Sequence, residues 1–161
     1  MNTLKLFRTL AIHFKNKNPR LKMSVFIKEL SFRWSDLDPN FHVRHSAYYD
    51  FGAQHRIEIL ESLGLTMKVM QAQGFGPILF REECVFRKEI KLSDKIVMHT
   101  RSSQVNEDGS RWSIIHEFRN DADQVCATIT VDGAWMDIKL RKLALPTPEL
   151  AKKALSVFPK E

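Results

Sequence analysis

The run WSDLDPNFHVRH, Trp34 to His45, gathers ionisable and hydrogen-bonding side chains. It holds two carboxylates (Asp36 and Asp38), an amide (Asn40), two imidazoles (His42 and His45) and a guanidinium (Arg44). A positioned carboxylate or imidazole is the usual means of general acid–base catalysis. A neutral histidine near pH 7 serves as a base or as a hydrogen-bond partner. Asp and Asn beside a proline are also common turn formers. The same residues therefore suit either a catalytic loop or a polar turn ahead of a helix.

Other reactive residues give weaker patterns. Cys84 and Cys126 are the only cysteines. They form no disulfide framework and no metal knuckle, so a reducing, cytoplasmic compartment is the default expectation. His55 falls on the apolar stripe of a helix, and His116 lies mid-strand among Ile114, Ile115 and Phe118. His42 and His45 are three apart, but no HxxxH or HExxH accompanies them, so no metal site is expected. The GFG at 74–76 lacks the form of a phosphate loop.

These side chains need elements to hold them. Ser24 to Arg33 mixes branched, aromatic and polar residues as a strand does. Ser46 is a candidate N-cap, and a helix is predicted from Ala47 to Leu63 with Tyr48, Phe51, His55, Ile59 and Leu63 near one stripe. Gly64 suits its C-terminus. Residues 66–76 predict a short helical turn and a glycine-punctuated loop. An extended run follows from Ile78, with Ile78, Phe80, Glu82, Cys84 and Phe86 on one face. Further strands are predicted over 95–104, 111–118 and 124–140, the last bulged at Gly133, then a short helix over 148–155. One strand, one long buried helix and four strands in hairpin-like succession predict an α+β domain, its curved sheet wrapped around the helix.

The chain has 161 residues, 43% of them hydrophobic and 27% charged, which suits one domain with a core. Its formal charge of +6 is localised. Lys5, Arg8, Lys15, Lys17, Arg20 and Lys22 have no acid among them, and the remaining chain carries 19 basic and 19 acidic residues. That distribution argues against a domain-wide nucleic-acid face. Residues 1–22 form a basic amphipathic segment, with Leu6, Leu10 and Phe14 at four-residue spacing. It suits packing on the domain or a partner subunit, peripheral contact with an anionic membrane, or targeting. Residues 23–161 form the single domain. No apolar run approaches the roughly 20 residues of a membrane-spanning helix.

The stretch from Arg33 to Gly64 resembles the hotdog-fold acyl thioesterases of the 4-hydroxybenzoyl-CoA thioesterase-like superfamily, and the likeness extends from Val25 to Leu145. It rests on Asp36-Leu37-Asp38, Tyr48-Tyr49-Asp50, Arg56-Ile57-Glu58, the strand order, and the basic, proline-bounded run from Lys139 to Pro146. The resemblance implies a hotdog fold and hydrolysis of an acyl thioester, first of all an acyl-CoA, in lipid metabolism without metal or organic cofactor. It assigns the catalytic carboxylate to Asp38. Asn40, Phe41, His42 and Val43 match instead the Asn-x-His-Val of acyl-carrier-protein thioesterases, where Asn and His have active-site roles. Arg44 and His45 replace that motif's asparagine pair, Phe41 stands near a customary glycine, and Ala53, Gln54 and His55 stand where many relatives carry two acids. An acyl-carrier-protein thioesterase and a noncatalytic acyl-thioester-binding protein therefore remain alternatives.

On this resemblance Asp38 acts as general base or nucleophile. Asn40 orients water or the carboxylate, and His42 serves as a second base or holds the loop. Backbone amides from Val43 through Arg44 and His45 to Ser46 polarise the thioester carbonyl at the helix start. Tyr48 and Tyr49 line the pocket or the core. The basic residues suit a solvated surface, and Arg87, Lys88 and Lys91, or Lys139, Arg141 and Lys142, are also candidates to contact coenzyme A phosphates. A homodimer or homotetramer is expected, with the site at a subunit interface.

Overall fold

The computed structural model describes residues 26–158. The basic segment 1–22 lies outside the described residues. Strand β1 (Phe26–Glu29) leads through a single 3-10 turn at Trp34–Asp36 into helix α1 (His45–Ser62). Helix α2 (Met67–Gln73) follows, capped by the Thr66 hydroxyl, which accepts the Val69 N–H at 3.2 Å. Then come β2 (Phe75–Phe86), β3 (Ile96–Val105), β4 (Arg111–Asn120), β5 (Val125–Asp137), the short β6 (Lys142–Leu143) and helix α3 (Glu149–Val157).

The antiparallel sheet has the order β1-β3-β4-β5-β2, with β6 beside the end of β5. It curls around α1, giving the hotdog arrangement implied by the resemblance. The alternating burial of β3 and β4 supplies the inner face, while β5 is almost continuously buried or half-buried. Phe118, Ile129, Val131 and Trp135 sit at its centre. Full burial of each such side chain contributes about 1.5–3 kcal/mol.

Four local expectations are corrected. Strands β2 to β5 are not one hairpin succession: β3, β4 and β5 are, but β2 pairs with the far edge of β5. Residues 87–95 must therefore cross from one side of the sheet to the other. The irregularity near Gly133 lies on the opposite strand, between Leu79 and Arg81. Phe80 is the extra residue, and it points outward under the Arg111 guanidinium at 4.9 Å, not inward with Ile78 and Glu82. Gly133 itself is required by packing, because a Cβ there would lie 2.4 Å from Trp112 and 2.7 Å from the Ile78 carbonyl oxygen.

Finally, α1 starts earlier than Ala47. Arg44 is its N-cap, and the Ser46 hydroxyl is taken by the Arg44 guanidinium instead of capping the helix. Gly64 follows the helix at φ 85°, as its placement after Leu63 predicts. No helix among the described residues is long and apolar enough to cross a membrane.

Candidate functional site

The stretch from Leu37 to Val43 is a tight hairpin. Leu37 bridges Val43, and the Asp38 N–H donates to the His42 carbonyl at 2.8 Å. The Phe41 N–H donates to the Asp38 carbonyl at 3.0 Å. Phe41 closes the loop at φ 63°, a position where glycine is the unstrained choice. Asp38 organises this turn. Its Oδ1 accepts the N–H of Asn40 at 2.8 Å and of His42 at 3.1 Å, while Oδ2 takes no part in those bonds.

Asp36 has a different position. It is buried, and its carboxylate accepts the Arg33 backbone N–H at 2.8 Å and the Arg33 guanidinium at 3.0 Å. Those bonds hold its pKa below the usual carboxylate range. Its carbonyl accepts the Arg44 N–H at 2.8 Å, tying the 3-10 turn to the entry of α1.

The crossing segment 87–95 docks on this hairpin. The Val43 N–H donates to the Ile90 carbonyl at 2.7 Å, and His42 bridges Lys91 through the backbone. A cleft opens between them. Asp38, His42, Val43, His45 and Tyr48 form one wall, and Phe86 to Glu89 the other. His42 Nε2 lies 3.1 Å from a Glu89 carboxylate oxygen, which also faces Lys91 Nζ across 3.1 Å between its other oxygen and the ammonium. Tyr48 is buried edge-on against Phe86, at 5.1 Å, and against Phe118. Burial raises its phenol pKa, so it stays a neutral hydroxyl.

The other anticipated residues fall around this cleft. Asn40 lines a separate depression with Trp34, Leu37, Phe41 and Lys91. The Arg44 guanidinium turns to the Ser35 carbonyl at 3.2 Å, to Ser46, and to Asp50 at 3.5 Å. Ser46 is half-buried in that arrangement. Tyr49 is half-buried and packs on the core instead of lining the cleft. No side chain caps the start of α1, leaving its first amides without a side-chain acceptor there.

A second constellation, which the sequence does not mark as a unit, joins α1 to β2, β3 and β4. Arg56 Nη2 lies 3.0 Å from a Glu82 oxygen, close enough for an ion pair though not aligned as a linear hydrogen bond. Its Nη1 lies 3.1 Å from His116 Nε2, and Arg is a donor only, so that nitrogen accepts. His116 Nδ1–H therefore donates to the Thr100 hydroxyl at 2.6 Å. The hydroxyl in turn donates to His55 Nδ1 at 2.9 Å. Both imidazoles are neutral in this chain. Burial pushes His55 down to about 4 and His116 well below its ordinary value. Gly52 gives the seam room, since a Cβ would approach His116 Cδ2 to 3.3 Å. The sequence signal was polar residues on inward-facing positions of α1, β3 and β4. Among the described residues no group of three His, Cys, Asp or Glu side chains could hold a metal ion.

A family model for the thioesterase-like superfamily matches residues 32–154. The chain belongs to the thioesterase-like superfamily. Membership makes thioester hydrolysis the class of chemistry to which this cleft is to be compared. No curated protein matches the chain in sequence. Solved structures share the fold at low identity. A Staphylococcus aureus hypothetical protein in complex with CoA is 14% identical, with 86% of each chain covered and a TM-score of 0.77. The 1,4-dihydroxy-2-naphthoyl-CoA thioesterase from Synechocystis is 18% identical over 83% of this chain and 97% of its own, with a TM-score of 0.73. The DHNA-CoA thioesterase from Staphylococcus aureus is 18% identical over 74% and 79%, with a TM-score of 0.66.

Proposed function

We propose that this thioesterase-like protein hydrolyses acyl-coenzyme A thioesters in the cleft between the Asp38 hairpin and Phe86–Glu89. One observation carries the reading. Asp38 is fixed by two amides on one oxygen and lines the cleft beside the start of α1. Its Oδ2 acts as general base toward a water that attacks the thioester carbon. The uncapped amides of His45 and Ser46 accept the charge that develops on the carbonyl oxygen, aided by the helix dipole. His42, held beside Glu89, orients the water or shuttles its proton. Val43 and Tyr48 furnish the apolar wall against the acyl group. Asn40 contributes its backbone N–H, which Asp38 accepts, and not its side chain.

The structure separates the two basic clusters. Arg87 and Lys88 stand at the cleft and suit the coenzyme A phosphates. Lys139, Arg141 and Lys142 follow Asp137, which pairs with Phe75 at the opposite end of β2, about 35 Å along the 12-residue strand. A homodimer is the proposed assembly. Strand β2 is a sheet edge that exposes Leu79, Phe80, Val85 and Phe86, and an open apolar edge of this length favours pairing with a second copy.

The test is thiol release from short, long and aromatic acyl-CoAs, with Asp38→Asn measured beside the native chain. Asn keeps an oxygen for the Asn40 and His42 amides, so the hairpin persists while the base is lost. Activity should fall at least about 100-fold, in the range expected for a general base. Thiol release that survives Asp38→Asn would remove this mechanism, and no release from any substrate would leave a binding protein.

A further inference from the structure

The turn joining β5 to β6 is built for a different encounter. Ile138, Lys139, Leu140, Arg141 and Lys142 are all exposed, and Leu140 keeps 69% of its surface in solvent. None of the three cations makes an ion pair among the described residues. The sole acid between Gly133 and Pro148 is Asp137. Its carboxylate is engaged inside the turn, where Oδ1 accepts the N–H groups of Lys139 and Leu140, each at 2.9 Å. Its carbonyl accepts the Arg141 N–H at 2.9 Å, and the Ile138 N–H donates to the Gly74 carbonyl at 2.9 Å. The tip is thus braced from within and from the end of α2. It presents an exposed leucine among three cations that outnumber the one acid of the turn, with exposed Leu145 just beyond.

We propose that this tip docks the protein on an anionic lipid bilayer. The shape favours a bilayer over a soluble phosphate, which requires a concave set of donors. A projecting apolar side chain enters the boundary between headgroups and acyl chains, while lysine and arginine stems lie along it with their charges among the phosphates. Charge complementarity supplies the remainder, because each Lys or Arg near an anionic leaflet adds attraction that salt screens. The cleft lies at the other end of β2, so docking by the tip leaves it open. The inference is independent of the reaction proposed for that cleft.

The test uses the full chain with vesicles of phosphatidylcholine alone or with 30% phosphatidylglycerol. Binding is read by co-sedimentation at low and high salt, and oligomeric state by light scattering. The native chain should bind the anionic vesicles selectively. The triple variant Lys139→Gln, Arg141→Asn, Lys142→Gln should bind them about 100-fold more weakly, from the per-cation attraction. Asn is chosen at 141 because Arg141 sits at φ 55°. Leu140→Ser should weaken the binding that remains at high salt. A control with Lys5, Arg8 and Lys15 changed to Gln separates the tip from the N-terminal segment. Equal binding by the native chain and the triple variant would overturn the proposal. So would failure of the native chain to bind, binding without preference for anionic lipid, or displacement by coenzyme A alone. A changed oligomeric state in the triple variant would assign the tip to a contact between copies and would also overturn it.

Discussion

Acidification from pH 7 to pH 5 tests the buried seam between α1 and the sheet. In the unfolded chain a histidine titrates near 6.5. In the fold, burial holds His55 near 4 and His116 well below its ordinary value. The depressed values mean that the fold is at no disadvantage above pH 6.5. Below it the unfolded chain binds protons that the fold refuses, so stability is lost as pH falls toward the folded values. Each fully coupled histidine costs about 1.4 kcal/mol per pH unit, or about 2 kcal/mol over this interval after the onset near 6.5. Together the two remove about 4 kcal/mol of stability. His99 is shifted the same way by burial and adds to the loss. The depressed carboxylates of Asp36, Glu58 and Glu117 contribute in a lower window, as pH falls through and below the ordinary carboxylate range.

Urea unfolding, followed by the buried Trp112 and Trp135, measures this loss. The comparison is His55→Asn with His116→Gln. Asn offers Thr100 an acceptor in place of His55 Nδ1, and Gln offers Arg56 one in place of His116 Nε2. The double variant starts less stable at pH 7, but its loss between pH 7 and 5 should shrink by about 4 kcal/mol. An equal pH dependence in native chain and double variant would refute the neutral, one-way hydrogen-bonded chain drawn from the geometry. If the double variant does not fold, each single variant should shrink the loss by about half.

Gly133→Ala should destabilise the chain by about 3 kcal/mol, because Trp112 and the Ile78 carbonyl leave no room for a methyl group; a thermal midpoint equal to the native one would show that the sheet yields there. Phe41→Asn should raise the midpoint, since relief of a strained positive φ contributes about 1 kcal/mol and the ring is exposed. Replacing Arg56 by Ala should cost about 3–5 kcal/mol by leaving Glu82 and His116 without their partner, measured by the same urea titration.

The elements were legible in the sequence because alternation and the four-residue stripe report burial directly. The strand after Pro77, the long helix and the three consecutive strands all lie close to their expected places. What alternation does not encode is which edge a strand joins. Strand β2 has the pattern of any half-buried strand, and only the fold places it beyond β5. The extra residue at Phe80 was hidden for a related reason, since Gly133 marks the spot but permits the approach of Trp112 instead of carrying the bulge. The start of α1 is not legible in the sequence because Ser46 is a good cap in isolation, whereas a guanidinium two residues earlier claims its hydroxyl.

The candidate site divides along similar lines. Only the resemblance separates Asp38 from Asp36 in the sequence, and packing gives the physical difference: Asp36 is buried under Arg33, and Asp38 faces the cleft through a hairpin that its own Oδ1 builds. Glu89 is separated from His42 by 47 positions and meets it only because the β2–β3 crossing returns to the hairpin. The same crossing delivers Arg87 and Lys88. Helix α1 joins both halves of the molecule's polar chemistry: its uncapped start faces the cleft, and its middle carries His55 and Arg56 into the seam. A helix fixed at mid-length to β2, β3 and β4 cannot shift its first amides without breaking that seam. The buried polar chain thus anchors the middle of α1, while the Arg44–Asp36 and Val43–Ile90 backbone bonds hold its first turn beside the Asp38 hairpin.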